Sequence, residues 1–267
     1  MHPMLNIAIR AAREAGNIIA RGVERLDTLK ITQKSERDFV TNIDIKAEQA
    51  IIATLRKAYP NHSILSEECG LDQKSEHSEY LWIIDPLDGT TNFIHGFPHF
   101  AVSIALKHND RIEQAVVYDP IRQELFTASH GTGARLVNNN NSIRLRVSPQ
   151  KNLEHALLGT GFPFRHPDLI APYLETFKAF LPNATGIRRA GSAVLDLAYV
   201  AAGRLDGFWE FGLKPWDIAA GSLMIREAGG LISDFVGTEN YLESGNIVTG
   251  NPKIFKIMLQ TIQPALK

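Results

Sequence analysis

The chain has 267 residues, of which 44% are hydrophobic and 21% charged, with a formal net charge of −1. That size and balance suit a soluble globular core, built as one large domain or two intimate subdomains. Near-neutrality excludes a global field for nucleic acid or anionic membrane, so such a partner would need a local patch. One cysteine, Cys69, precludes an intramolecular disulfide and fits a reducing, cytoplasmic setting.

From Met4 to Ile19 a charge recurs every few residues, which breaks any signal-peptide apolar region and predicts an amphipathic helix over 4–25. A second helix is expected from Thr41 to Tyr59, with Ile45, Ala47, Ile51, Ile52 and Leu55 spaced for one face and Pro60 as its stop. No apolar run approaches the roughly 20 residues of a membrane-spanning helix. Strand-rich segments follow at 63–66, 80–85, 100–107, 112–118 and 123–128, with Asn109-Asp110 as a turn. The tract Asn138-Asn139-Asn140-Asn141 reads as another turn between strands. Helices are then expected at 167–181, 192–202 and 217–228, strands near 156–160, 205–210 and 231–235, and a last helix over 252–264. This alternation in blocks predicts a mixed α/β (α+β) chain with stacked layers of helix and sheet. We read 1–267 as a single domain with a subdomain boundary near 145–155.

The chemistry concentrates where Leu81-Trp82-Ile83-Ile84 ends abruptly in Asp85 and Asp88, followed by Gly89-Thr90. A buried strand would deliver both carboxylates to its carboxyl end, where ligands of α/β sheets bind. Two buried carboxylates repel unless protonated or bound to a cation. Pro86 lacks an N–H, and the Leu87 carbonyl can point where the carboxylates point. Gly89 permits close backbone approach, and Thr90 adds a hydroxyl. Other acids stand in less decisive places. Glu67 and Glu68 follow a strand-like segment, Asp44 sits in a first helical turn, and Asp217 opens a helix that Gly229-Gly230 ends; as isolated residues they read equally as loop charges and caps. The nine histidines show no zinc-type spacing, and His95 and His99 read as rim residues. Trp209 and Trp216 read as core or pocket wall. No Gly-x-Ser-x-Gly elbow or Walker loop is present.

Asp85-Pro86-Leu87-Asp88-Gly89-Thr90 and Trp216-Asp217-Ile218-Ala219-Ala220-Gly221 resemble the two signature motifs of the inositol monophosphatase family. Asp38 to Asp44, Ser66-Glu67-Glu68, Ile187 to Ala193 and Asp206 to Glu210 are similar to its intervening blocks. The resemblance covers about residues 4–262. It implies a layered α/β/α/β/α sandwich of the sugar-phosphatase type, commonly a homodimer. It also implies a Mg²⁺-dependent phosphomonoesterase acting on myo-inositol 1-phosphate and related polyol or sugar phosphates. Residue by residue, it assigns two or three Mg²⁺ ions to Glu67, Asp85, Asp88, Asp217 and the Leu87 carbonyl. Asp44 and Thr90, with Glu67 through its metal, would direct the attacking water. The Gly89 and Thr90 N–H groups would take the phosphate, within reach of Asp88 and Asp217. Glu210 and the turn of Gly191, Ser192 and Ala193 would meet the polyol, and Arg188 the substrate side or a subunit contact. Relatives handle fructose-1,6-bisphosphate, 3′-phosphoadenosine 5′-phosphate or histidinol phosphate. One bacterial branch, matched by the opening Met1 to Ala8 and by Leu195 to Arg204, further implies transcription antitermination and ribosomal RNA maturation through Nus factors and RNA polymerase. Two departures stand out: Cys69 where serine is expected, and His95-Gly96 where basic residues often follow the first motif.

Overall fold

The computed structural model describes residues 2–35, 38–72, 78–138 and 141–266. Helix α1 (Pro3–Val23) starts with Pro3, which has no N–H to leave unpaired, while the His2 ring accepts the Met4 N–H at 3.3 Å. A strand pair, β1 (Ile31–Ser35) with β2 (Asp38–Thr41), leads into α2 (Asn42–Ala58). Small residues on α1 (Ala8, Ala11, Ala12, Ala15) let it pack closely on α2, whose Ile43, Ala47, Ile51 and Leu55 are buried. Ile45, expected on that face, is 44% exposed. The i, i+4 run from Ile43 sets the buried stripe, and Ile45 lies about half a turn away.

The large sheet contains β3 (Ser63–Ser66), β4 (Gly70–Asp72), β5 (Tyr80–Asp88), β6 (Ala101–His108), β7 (Arg111–Asp119), β8 (Glu124–Ser129), β9 (Gly133–Asn138) and β10 (Asn141–Arg144). A five-residue helix, α3 (Thr90–Ile94), separates β5 from β6. The strand order is β10-β9-β8-β7-β6-β5-β3-β4, antiparallel throughout except for parallel β3–β5. Asn138 pairs with Asn141; Asn139 and Asn140 of the expected turn lie outside the described residues. Period-2 alternation splits this sheet into two buried faces. Trp82, Ile84, Val102, Ile104, Leu106 and Val116 pack under α1 and α2. Ile83, Ala101, Ala105, Ala115 and Val117 face the other way.

Residues 145–156 carry the chain to a second sheet of β11 (Leu157–Thr160), β12 (Gly186–Arg188), β13 (Gly207–Glu210), β14 (Leu231–Ser233) and β15 (Ile247–Gly250), ordered β12-β11-β13-β15-β14. The helices of this half are α4 (Ile170–Phe180), α5 (Ala193–Ala201), α6 (Pro215–Glu227), α7 (Tyr241–Ser244) and α8 (Pro252–Ala265). α5 and α6 lie between the sheets, apolar nearly all round, and α4 and α8 cover the outer face. The layers are therefore α1/α2, large sheet, α5/α6, small sheet and α4/α8, a mixed α+β sandwich of the α/β/α/β/α kind. Among the described residues no helix is long and apolar enough to cross a membrane.

Candidate active site

On a regular strand, residues three apart face opposite sides, so Asp85 and Asp88 should diverge. The β5–β6 register prevents this: Asp85 pairs with Ser103 and Asp88 with Ala101, three residues against two. The extra residue is a bulge beside Pro86, which has no N–H for the ladder. It turns Leu87 into the α1/α2 core and brings Asp88 to the same side as Asp85. The Leu87 N–H donates to Asp85 Oδ1 at 2.9 Å. Ser192 Oγ and the Val194 N–H donate to Asp88 Oδ2 at 2.6 and 2.8 Å, tying the bulge to the start of α5. Gly89 then turns with φ of 95°, and a Cβ there would sit 3.0 Å from the His99 carbonyl oxygen.

Glu67 comes alongside because β3 runs parallel to β5 and the Glu67 N–H bonds the Ile84 carbonyl at 3.2 Å. The turn after it is anchored by buried Glu48, whose Oε1 accepts the Glu68 and Cys69 N–H groups and whose Oε2 accepts the Cys69 thiol at 2.8 Å. That thiol is pushed up to about 11, first by its hydrogen bond to Glu48 and then by burial, so Cys69 braces the turn and is a poor nucleophile. Asp44 is held by the Thr41 N–H at 2.9 Å and the Thr41 hydroxyl in a capping box. Thr90 Oγ1 lies 3.0 Å from Asp44 Oδ1 and 3.1 Å from the Leu87 oxygen.

Asp217 enters from α6, where its Oδ2 accepts the Lys214 N–H at 2.7 Å. One oxygen each from Asp85, Asp88 and Asp217 lie within 4.8 Å of one another, a set of hard oxygen donors that fits a divalent cation. These acids floor a cavity of about 400 Å³ that Glu67, Thr90, Gly191, Ser192, Ala193 and Glu210 also line. Burial first, and then repulsion from Glu67, Asp88 and Asp217, pushes Asp85 well above the usual carboxylate range. Burial and Asp88 push Asp217 up to about 8, and burial also raises Asp88. Asp44 is raised by burial despite its hydrogen bonds.

A profile of the inositol monophosphatase family matches residues 1–266. The chain belongs to the inositol monophosphatase family. It is 60% identical over 269 residues to the Nus factor SuhB of Pseudomonas aeruginosa, covering 100% of this chain and 98% of that one. Identity to the Nus factor SuhB of Escherichia coli is 53% over 266 residues, with the same coverage. Among solved structures, the extragenic suppressor protein suhB of Bartonella henselae superposes with a TM-score of 0.93 at 42% identity, covering 98% of this chain and 99% of that one. The Thermotoga maritima IMPase superposes at 0.88 with 33% identity, covering 99% and 98%.

Within this family member the cleft differs from the sequence reading in three places. Arg188 is exposed at the end of edge strand β12 and does not line the cavity, whereas Arg189 does. The Arg189 guanidinium lies 5.3 Å from the Phe162 ring centre and 5.0 Å from that of Phe164. Neither expected rim histidine reaches the cleft: His95 is exposed, and His99 is buried 6.0 Å from the Tyr199 ring, its pKa pushed down to about 4 by burial. The sequence reading also passed over Asp196, a cavity acid only 2% exposed. Its position between Leu195 and Leu197 in an apolar helix was the available signal.

Proposed function

We propose that the chain hydrolyses phosphomonoesters of small polyols or sugars, myo-inositol 1-phosphate foremost, with Mg²⁺ held by Glu67, Asp85, Asp88, Asp217 and the Leu87 carbonyl. The observation that carries this reading is the meeting of the Asp85, Asp88 and Asp217 oxygens within 4.8 Å. Bound there, the cation supplies Lewis-acid polarisation of the phosphoryl group and acidification of a water. The remaining work falls to the chain itself. Thr90 Oγ1 has one proton and two acceptors in reach, Asp44 Oδ1 and the Leu87 oxygen. Donating to Asp44 leaves the hydroxyl oxygen able to accept a proton from a water in the cleft. Asp44 is the onward acceptor, and burial makes it more basic than an ordinary aspartate. First-turn N–H groups have no partner inside their helix, so those of Gly89 and Thr90 are assigned to the phosphate oxygens. Glu210 and the Gly191–Ala193 turn are assigned to the polyol.

The test is phosphate release across a Mg²⁺ series with wild type and Asp88→Asn. The variant is expected to lose about 1,000-fold or more in turnover, in line with removal of a charge-stabilising group. Turnover that persists in excess chelator refutes the reading. A panel with fructose-1,6-bisphosphate, 3′-phosphoadenosine 5′-phosphate and histidinol phosphate ranks the substrates, and light scattering tests the homodimer. The names of the relatives favour a second role. At 60% identity over the whole chain to a Nus factor, we propose that this chain also contacts Nus factors and RNA polymerase. Pull-down with Asp88→Asn separates the roles: activity is expected to vanish while binding survives.

A further inference from the structure

Two cavity acids stand apart from the cation cluster. Asp196 on α5 is 2% exposed yet lines the cavity, and Glu210 at the end of β13 lines it too. Asp85, Asp88 and Asp217 each accept hydrogen bonds from their own surroundings. Asp196 and Glu210 accept none among the described residues. Arg189 attracts both electrostatically but hydrogen-bonds neither of them among those residues.

The fold makes room for this pair. Gly159 and Gly161 are two apart on one extended segment and therefore share a face. A Cβ on Gly161 would clash with the Glu210 carboxylate, whereas one on Gly159 would meet Leu205 at 2.9 Å and Phe208 at 3.0 Å, with Asp196 Cγ at 3.7 Å. Thr160 between them turns the other way, towards the Tyr173 hydroxyl at 3.4 Å. The Glu210 carboxylate thus lies against bare backbone at Gly161, and Asp196 lies beyond Leu205 and Phe208 at Gly159. Together they offer four acceptor oxygens and no fixed donor, so a ligand rich in O–H groups completes them. Arg189 offsets part of the negative charge of this pair.

We propose that Asp196 pairs with Glu210 to receive neighbouring hydroxyls of the substrate and is a specificity-determining residue of this cleft. The proposal rests on the phosphatase reading above. The experiment compares kcat and KM for myo-inositol 1-phosphate and for p-nitrophenyl phosphate, an ester without such hydroxyls, in wild type, Asp196→Ala and Asp196→Asn with Mg²⁺. Asp196→Ala is expected to lower kcat/KM for the polyol ester about 10- to 100-fold more than for the aryl ester, chiefly through KM. Asp196→Asn, which keeps one acceptor oxygen, is expected to retain part of the preference. Equal losses on both esters, a loss confined to kcat, or a wild-type preference for an amine-bearing phosphate overturns the proposal. Thermal melts monitor folding, and if the alanine variant does not fold the asparagine variant carries the comparison. Saturation-transfer NMR with free myo-inositol and metal-free protein gives a second readout, expected to weaken in the variants; unchanged transfer overturns the proposal. Wild type that cleaves neither ester defeats the phosphatase reading, while the NMR comparison still decides the role of Asp196.

Discussion

Replacing Asp217 with Asn in metal-free protein should raise stability, and by more at pH 8 than at pH 5. The Asp217 carboxyl titrates near 8 in the fold, against about 3.9 in an unfolded chain. Folding therefore takes up a proton between those values. The contribution of this group is fully present below the unfolded pKa and is lost as pH rises through the folded one. Each pH unit in that window removes about 1.4 kcal/mol for one fully titrating group, so pH 5 to 8 sets a ceiling of about 4 kcal/mol. Asp85 and Asp88 share the same repulsion, and about half that figure is expected for one substitution. The amide keeps an oxygen to accept the Lys214 N–H, now 2.7 Å from the carboxylate, so the start of α6 is preserved. About 2 kcal/mol makes the variant's gain in Tm over wild type about 4–8 °C larger at pH 8 than at pH 5. The assay is thermal unfolding by circular dichroism in chelator at both pH values. An Asn variant no more stable than wild type at pH 8, or equally stabilised at both, refutes the claim that mutual repulsion stresses this site.

Thr90→Val removes the hydroxyl that joins Asp44 to the Leu87 oxygen; kcat should fall about 100-fold or more with little change in KM, as for loss of a proton-transfer group. Thr90→Ser should restore most of it, and stopped-time phosphate assays on all three proteins decide. Gly16→Ala would place a methyl 2.4 Å from Tyr118 Cε1, so overpacking should outweigh the better helix propensity by about 1–3 kcal/mol. Urea unfolding measures this, and a midpoint at or above wild type contradicts the packing of α1 on β7.

Long elements were legible from sequence because several periods of pattern fit inside them: α1, α2, β5 to β8 and α8 fall within a few residues of their expected bounds. The pair β1–β2 and the strands β4, β12 and β15 were not, and β9 and β10 were legible only as the unnamed strands on either side of the Asn138–Asn141 tract. Segments such as Gly70–Asp72 and Gly186–Arg188 have three residues, too few for alternation to register. The strand character of β12 comes from β11, distant in the chain, and that of β4 from β3 just before it. The Arg188–Arg189 difference has a related origin, since adjacent residues of an extended segment diverge and only the second faces the cleft. Asp196 was hidden because an acid in a first helical turn is ordinary, and its burial depends on β11 and β13 closing over it.

For Asp217, sequence left a helix cap and a metal ligand as rival readings, and the geometry makes them compatible. A carboxylate has two oxygens, and in each clustered acid the hydrogen bonds among the described residues fall on one of them. Asp85 uses Oδ1 for the Leu87 N–H, Asp88 uses Oδ2 for Ser192 and Val194, and Asp217 uses Oδ2 for the Lys214 N–H. Each is fixed in direction by one oxygen and keeps the other without a hydrogen bond among the described residues, as a ligand atom requires. Asp44 differs. Its Oδ2 takes both Thr41 donors and its Oδ1 takes Thr90, so both oxygens carry hydrogen bonds, and it is not one of the three clustered acids. The division of oxygens supports the cation-binding role proposed for the first three acids and the proton-handling role proposed for Asp44. Thr90→Val tests that division directly, because it frees Asp44 Oδ1 without touching any of the three.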